Sequence, residues 1–257
     1  MILDFIVEQK QKRLAEQKKR ISEAAMRRMA QEKQTTQNSF ADALKKPGIS
    51  VIGEYKNASP SLGKIKSQIS LSERMEEYND AVDAISCLTE EDYFDGSVED
   101  FCRIRKQSPL PMLRKDFLID EYQVYEAKAI GADAVLFIAA ILDDARLHDF
   151  YQLANELEMD ALVEVHDEKE TERVLKQDIT IIGVNNRNLK DFSIRLLTTK
   201  QLSSMIPDDK IFVSESGIVS DEDVLLLKEC GVDAFLIGRA LMESKSPCEV
   251  VKRWKAI

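Results

Sequence analysis

Histidine occurs twice in 257 residues, tryptophan once and glycine only nine times. The four cysteines (Cys87, Cys102, Cys230, Cys248) show no C-x-x-C spacing, and neither histidine sits near them. That argues against a zinc site and for reduced thiols in a cytoplasmic protein. No G-x-G-x-x-G follows the first apolar strand, which counts against a doubly wound dinucleotide-binding sheet. No apolar run reaches the ~18 residues that would span a membrane. The apolar start, Met1 to Val7, is interrupted by Asp4 and runs into Glu8, Lys10, Lys12 and Arg13, so it does not read as a signal peptide. Positive charge is short too. A net charge of −10 speaks against non-specific nucleic-acid binding, and recognition of a phosphate would need a local pocket.

What charge there is falls unevenly. Residues 1–34 hold nine Lys/Arg against five Asp/Glu, which leaves about −14 on the remainder. The segment reads as two helices, with Ile2, Phe5 and Ile6 on one apolar face and Ile21, Ala24, Ala25 and Met29 on another. Short apolar faces without tryptophan favour an appendage packed on the domain over a membrane-surface helix, with an interaction module as the alternative.

A turn phrase recurs along the rest. Ala81-Val-Asp-Ala84 precedes Ile85–Leu88, Gly131-Ala-Asp-Ala134 precedes Val135–Ile138, Met159-Asp-Ala161 precedes Leu162–Val165, and Gly231-Val-Asp-Ala234 precedes Phe235–Gly238. Each follows an amphipathic stretch, as expected of a helix ending in a tight turn into a buried strand. Further apolar runs at Ile49–Tyr55, Pro111–Leu113, Ile179–Val184 and Ile211–Ser214 complete eight strands at the spacing of βα units. Eight such units in about 250 residues predict a single (βα)8 TIM barrel spanning residues 1–257, with residues 1–46 as an N-terminal helical extension.

In that fold the site lies at the C-terminal strand ends, and unusual polar residues collect there. The first strand ends in Glu54-Tyr-Lys56, the third in Arg114-Lys115-Asp116, and the fifth carries Glu164 between two valines. The sixth gives Asn185-Asn186-Arg187, the seventh Glu215-Ser216-Gly217 and the eighth Gly238-Arg239. A single charge at a strand end is commonly just solvated; a ring of them is not. Gly217 and Gly238 follow strands seven and eight, where backbone N–H groups commonly form a phosphate cup. The stretch Ala58 to Gly63 reads as a flexible covering loop.

With these strand ends in hand, the chain resembles the indole-3-glycerol-phosphate synthase family of tryptophan biosynthesis. The resemblance rests on Gly53–Ser61, Leu88–Ser97, Leu113–Phe117, Leu162–His166, Ile182–Leu189 and Val213–Ile218, in the family's order. It implies a lyase that needs no metal or organic cofactor and takes an anthranilate joined to an open-chain ribulose phosphate. The ring attacks the sugar ketone, carbon dioxide leaves, and water is eliminated to give the indole. The resemblance further implies Lys115 as the acid at the ketone oxygen and Glu164 as a second acid–base group. Lys56 would meet the substrate carboxylate, and Glu54 would hold the lysines and a sugar hydroxyl. Asn185 and Arg187 would position the intermediate, with Glu215 completing the ring. Phosphate contacts fall on Ser59, Gly217, Gly238 and the N–H of Arg239, Ser216 is a further substrate-binding residue, and Phe94, Phe117, Leu136 and Leu189 line the aromatic slot. The only partner implied is the phosphorylated small molecule, with a monomer or weak homo-oligomer expected. The sequence departs from the family's pattern at Asn57 and Leu62, where basic residues are usual, at Arg239, usually small or acidic, and mildly at Gly53 and Tyr55. Another sugar-phosphate barrel, such as a phosphoribosyl isomerase, or a barrel that binds without catalysis remains open at this point.

Overall fold

The computed structural model describes residues 2–34, 39–59, 63–189 and 191–257, with only the backbone at Ile2. Leu62, one of the departures noted above, lies outside the described residues. Three helices come first: α1 (Ile2–Arg20), α2 (Glu23–Glu32) and α3 (Phe40–Leu44). Strand β1 (Ser50–Tyr55) follows, then a two-stranded antiparallel hairpin of β2 (Ala58–Ser59) and β3 (Gly63–Lys64), then α4 (Leu71–Ala81). The alternation continues with β4 (Ala84–Leu88), α5 (Val98–Arg105), β5 (Met112–Lys115), α6 (Glu121–Ile130), β6 (Ala134–Ile138) and α7 (Asp144–Glu156). It ends with β7 (Asp160–Val165), α8 (Glu168–Leu175), β8 (Ile181–Asn185), α9 (Leu197–Ser203), β9 (Ile211–Glu215), α10 (Asp221–Lys228), β10 (Ala234–Ile237), α11 (Arg239–Glu243) and α12 (Pro247–Ala256).

Strands β1 and β4 to β10 pair in parallel and close on themselves, β1 meeting both β4 and β10. This is the eight-stranded TIM barrel that the spacing predicts. The hairpin replaces the loop expected over Ala58 to Gly63 at its two described ends.

The recurring aspartate has a structural reason. At the turn into its own strand, each accepts a hydrogen bond from the start of the neighbouring strand. Asp83 Oδ2 takes the N–H of Val51 at 2.8 Å, Asp133 Oδ2 that of Met112 at 2.7 Å, and Asp233 Oδ2 that of Phe212 at 2.7 Å. A backbone donor at the barrel floor is thus satisfied without water. Asp160 does the same job differently, accepting the Ala41 N–H at 2.9 Å and so pinning α3 beneath the barrel. Gly131 and Gly231 precede two of these turns with φ of 88° and 76°, a backbone setting that glycine adopts without strain.

The two-residue strand period sorts the core into two layers. Val51, Ile85, Met112, Val135, Phe137, Val163, Ile182, Phe212 and Phe235 face the surrounding helices. Ile52, Ala84, Leu113, Leu136, Leu162, Ile181, Val213 and Leu236 fill the barrel, with Phe40 and Leu44 of α3 in the same cluster. Following the inward parity upward by one or two steps reaches Glu54, Lys115, Glu164, Asn185, Glu215 and Gly238.

The N-terminal helices pack on the barrel, only partly by the faces expected. Phe5, Ile21 and Met29 are exposed. Helix α1 buries Ile6, as expected, together with Lys10 and Leu14, a stripe four residues apart, across the rim formed by the ends of β4 and β5. The buried Lys10 ammonium pairs with Asp116 Oδ1 and Glu91 Oε2, both at 2.8 Å. Two carboxylates waiting in the groove decide the register, which hydrophobic periodicity does not see. Helix α2 buries Met26 and Ala30 and packs along α6. No helix among the described residues is long and apolar enough to cross a membrane.

Candidate active site

A cavity of about 380 Å³ opens at the C-terminal strand ends. Of the residues singled out in the sequence, Glu54, Lys56, Phe94, Lys115, Phe117, Leu136, Glu164, Asn185, Arg187, Leu189, Ser216, Gly217, Gly238 and Arg239 line it. Glu215 sits just behind, reaching the cavity through its contact with Lys115. Ser59, on β2, is buried with a hydroxyl that has no hydrogen-bond partner among the described residues, and it is not part of the described lining.

Two ion-pair clusters organise the floor. At the end of β1, the Nζ of Lys56, just past the strand, lies 2.5 Å from Glu54 Oε1. Across the barrel, Lys115 Nζ sits between Glu215 Oε2 at 2.7 Å and Glu164 Oε2 at 3.2 Å. Burial favours a neutral Lys115, but Glu215, Glu164 and Glu54 outweigh it and hold the amine well above its usual range. The two carboxylates then divide. Burial raises both, yet Lys115 and His166 more than offset it at Glu164, whose carboxyl falls well below the usual range. At Glu215 burial wins, helped by the nearby charges of Glu164 and Glu54, and the carboxyl is pushed up to about 7. One ammonium serves two buried acids, and their carboxyls are driven in opposite directions, Glu164 down and Glu215 up.

Glycines make room for these groups. A Cβ on Gly183 would stand 2.3 Å from Glu215 Oε1, so β8 must lack a side chain where Glu215 reaches across. Gly217 follows Ser216, both with positive φ (88° and 65°), and a Cβ on Gly217 would press on Ile194 at 2.6 Å. Gly53, one of the sequence departures, leaves space for the Tyr78 ring.

The upper wall is apolar and held from below. Phe94 and Phe117 meet with ring centroids 6.3 Å apart. Phe94 is placed by Glu90, whose carboxylate accepts the N–H groups of Asp92, Tyr93 and Phe94 at 2.8–3.1 Å. Asn57, one of the departures noted above, ties the loop after β1 to the one after β4 and to α5, donating to Asp95 O at 2.8 Å and Asp100 Oδ2 at 3.0 Å. Arg187 Nη1 donates to Phe192 O at 3.3 Å, and burial, with Arg239 nearby, lowers its pKa although Glu54 opposes the shift. The Arg239 side chain itself turns outward to Glu243, at 3.2 and 3.3 Å.

Of the further neighbours, the apolar ones are not singled out in the sequence. Leu88, Ile138, Phe192, Ile194, Ile218, Val219 and Leu236 extend the apolar lining. Asn186 donates to the carbonyls of Glu215 and Ser216, at 3.0 and 3.2 Å, and so fixes the end of β9. Asp116 lines the cavity too, but its oxygens are taken by Lys10, Arg114 and Thr89. Among the described residues no group of three or more His, Cys, Asp or Glu side chains is arranged to hold a metal ion.

A family model described as indole-3-glycerol phosphate synthase matches residues 3–254. The chain belongs to the indole-3-glycerol phosphate synthase family. It is 53% identical to the indole-3-glycerol phosphate synthase of Lachnospira eligens, over 100% of this chain and 98% of that one. The same-named protein of Acetivibrio thermocellus is 45% identical, with all of both chains covered. Among solved structures, the 3-hexulose-6-phosphate synthase of Salmonella typhimurium superposes with a TM-score of 0.65 over 81% of this chain and 97% of that one. At 13% identity, this likeness speaks for the barrel alone.

Proposed function

We propose that the chain closes the indole ring of indole-3-glycerol phosphate from 1-(2-carboxyphenylamino)-1-deoxyribulose 5-phosphate, releasing carbon dioxide and water. The observation that carries the reading is the Lys115 ammonium, held charged between Glu164 and Glu215 at the edge of an apolar slot. Attack of an electron-rich ring carbon on a ketone puts negative charge on the ketone oxygen. A positioned ammonium stabilises that charge and donates the proton. Loss of the carboxylate as carbon dioxide restores part of the ring's conjugation. Departure of the hydroxyl then needs a proton, and aromatisation releases one. Glu164, ionised at rest beside Lys115, takes up and returns protons in these steps.

Lys56 and Arg187 offer cations to the substrate carboxylate and the intermediate, while Glu54 holds Lys56 and Asn185 orients the sugar chain. Glu215 keeps Lys115 in place. Phe94, Phe117, Leu136 and Leu189 hold the aromatic ring. Ser59, Ser216, Gly217, Gly238 and the N–H of Arg239 take the phosphate, with Ser216, Gly217, Gly238 and Arg239 on the cavity wall. The reading places the chain in the cytoplasm as a monomer or weak homo-oligomer, in keeping with its unpaired cysteines.

The test is the fluorescence rise of indole product when purified protein meets the carboxyphenylamino-deoxyribulose phosphate. Native protein is expected to give product, and Lys115→Ala almost none. A native chain that binds the substrate but never turns it over overturns the reading.

A further inference from the structure

Of the two histidines, His148 stands on α7, whereas His166 directly follows β7, two residues beyond Glu164. Nothing in the reaction proposed above uses it, yet it touches the carboxylate that the reaction depends on. His166 Nε2 lies 3.0 Å from Glu164 Oε1, an ion-pair contact that is not aligned as a hydrogen bond. On its other side, Nδ1 is 3.0 Å from Glu170 Oε2, and the same oxygen accepts the His166 backbone N–H at 2.8 Å. Glu170 in turn is fixed in the first turn of α8, its N–H bonded to Asp167 Oδ1 at 2.9 Å.

Glu164 is therefore gripped at both oxygens. Oε2 faces Lys115 and the cavity, and Oε1 faces His166 and the protein. Lys115 cannot neutralise Glu164 and Glu215 together, because one positive group serves two buried acids. A second cation behind Glu164 decides which acid stays ionised. We propose that His166, oriented by Glu170, is a positioning residue that keeps Glu164 ionised and turned toward the reacting atoms. The inference rests on Glu164 being the acid–base group of the proposed reaction.

The charged groups facing His166 are Glu164 on β7 and Glu170 on α8. On its outer side a second cavity, of about 670 Å³, adds Asp4 of α1, Asp167, Glu168, Lys169 and Arg195. The nearest contacts are carboxylates, and they favour the imidazolium. With both ring nitrogens carrying protons, one N–H is spent on Glu170 and the other faces Glu164.

The experiment measures kcat, KM and the pH dependence of kcat for native protein, His166→Ala, His166→Gln and Glu170→Gln, with thermal melts alongside. His166→Ala is expected to lower kcat about tenfold or more, with KM changed by less than about threefold. The acid limb of its kcat profile should move up by about one pH unit or more, because a carboxylate that loses a neighbouring cation takes up its proton at higher pH. His166→Gln can refill the space without the charge, so kcat should recover in part while the acid limb stays displaced. Glu170→Gln leaves ring and backbone in place and should move the limb in the same direction by less. It also serves as the decisive variant should His166→Ala fail to fold. Acid limbs that coincide with the native one in both His166→Gln and Glu170→Gln overturn the inference, even where kcat or the melting temperature falls. A native chain without turnover defeats the reading of the reaction instead, so the two failures are told apart.

Discussion

A Cβ on Gly238 would stand 2.2 Å from Oε1 of Glu54 and 2.8 Å from Nζ of Lys56. The two residues lie on adjacent strands, in register through the Gly53–Ile237 pair. Glycine at 238 is thus fixed by the ion pair beside it, apart from any ligand. Gly238→Ala should cut kcat/KM on the order of a hundredfold by displacing that pair, since small misplacements of reacting groups cost about this much. Gly231→Ala, strained but with open space around it, should leave kcat/KM near the native value. Steady-state kinetics on the two variants checks the contrast.

Lys115→Ala and Glu164→Gln should each lower turnover about a hundredfold or more while substrate binding survives. Single-turnover rates and equilibrium binding separate the two effects. Near-native turnover in either variant removes that residue from its role.

Lys10→Met should destabilise the fold on the order of 3 kcal/mol, because it strips a cation from the buried Asp116 and leaves Glu91 unpaired. Burial raises the Asp116 carboxyl, but Lys10 and Arg114 outweigh it, so it is held below its ordinary value. Its contribution is accordingly present above pH 3.8 and lost as pH falls below that value toward the lower folded one. Acid unfolding monitored by circular dichroism should set in at higher pH for Lys10→Met than for native protein.

His166 titrates the other way. Burial lowers its pKa, but Glu164 and Glu170 overcome burial and raise it from 6.5 to about 10. The stability it confers is complete below pH 6.5 and disappears as pH climbs through 10. Chemical denaturation at a series of pH values should show a loss of about 3 kcal/mol between pH 7 and 10, reduced in His166→Gln.

Much of this architecture is legible in the chain because its signals are local. The Asp of each turn phrase sits beside its own strand, and Glu164 betrays itself as a carboxylate inside an apolar run. Gly183 gives no such sign: its reason is Glu215, on the adjacent strand and 32 positions away in sequence. His166 stayed hidden because its partner Glu170 lies one turn into the next helix, although the two-residue period already puts it on the face of Glu164. The N-terminal faces are legible only at Ile6, because α1 also docks through a buried lysine, which periodicity scores as solvent-facing. Phe192 and Ile194 escape notice because they belong to the irregular segment between β8 and α9.

The placement of α1 has a practical consequence for anyone handling the protein. Leu3 and Asp4 border the cavity on the outer side of His166, so a fusion or dye attached ahead of them starts beside the reactive end of the barrel. Lys255, two residues before Ile257, is bonded to the Ala81 carbonyl and to Asp83 at the opposite, strand-starting end. Labels, surface tethers and affinity handles joined after Ile257 leave the mouth clear.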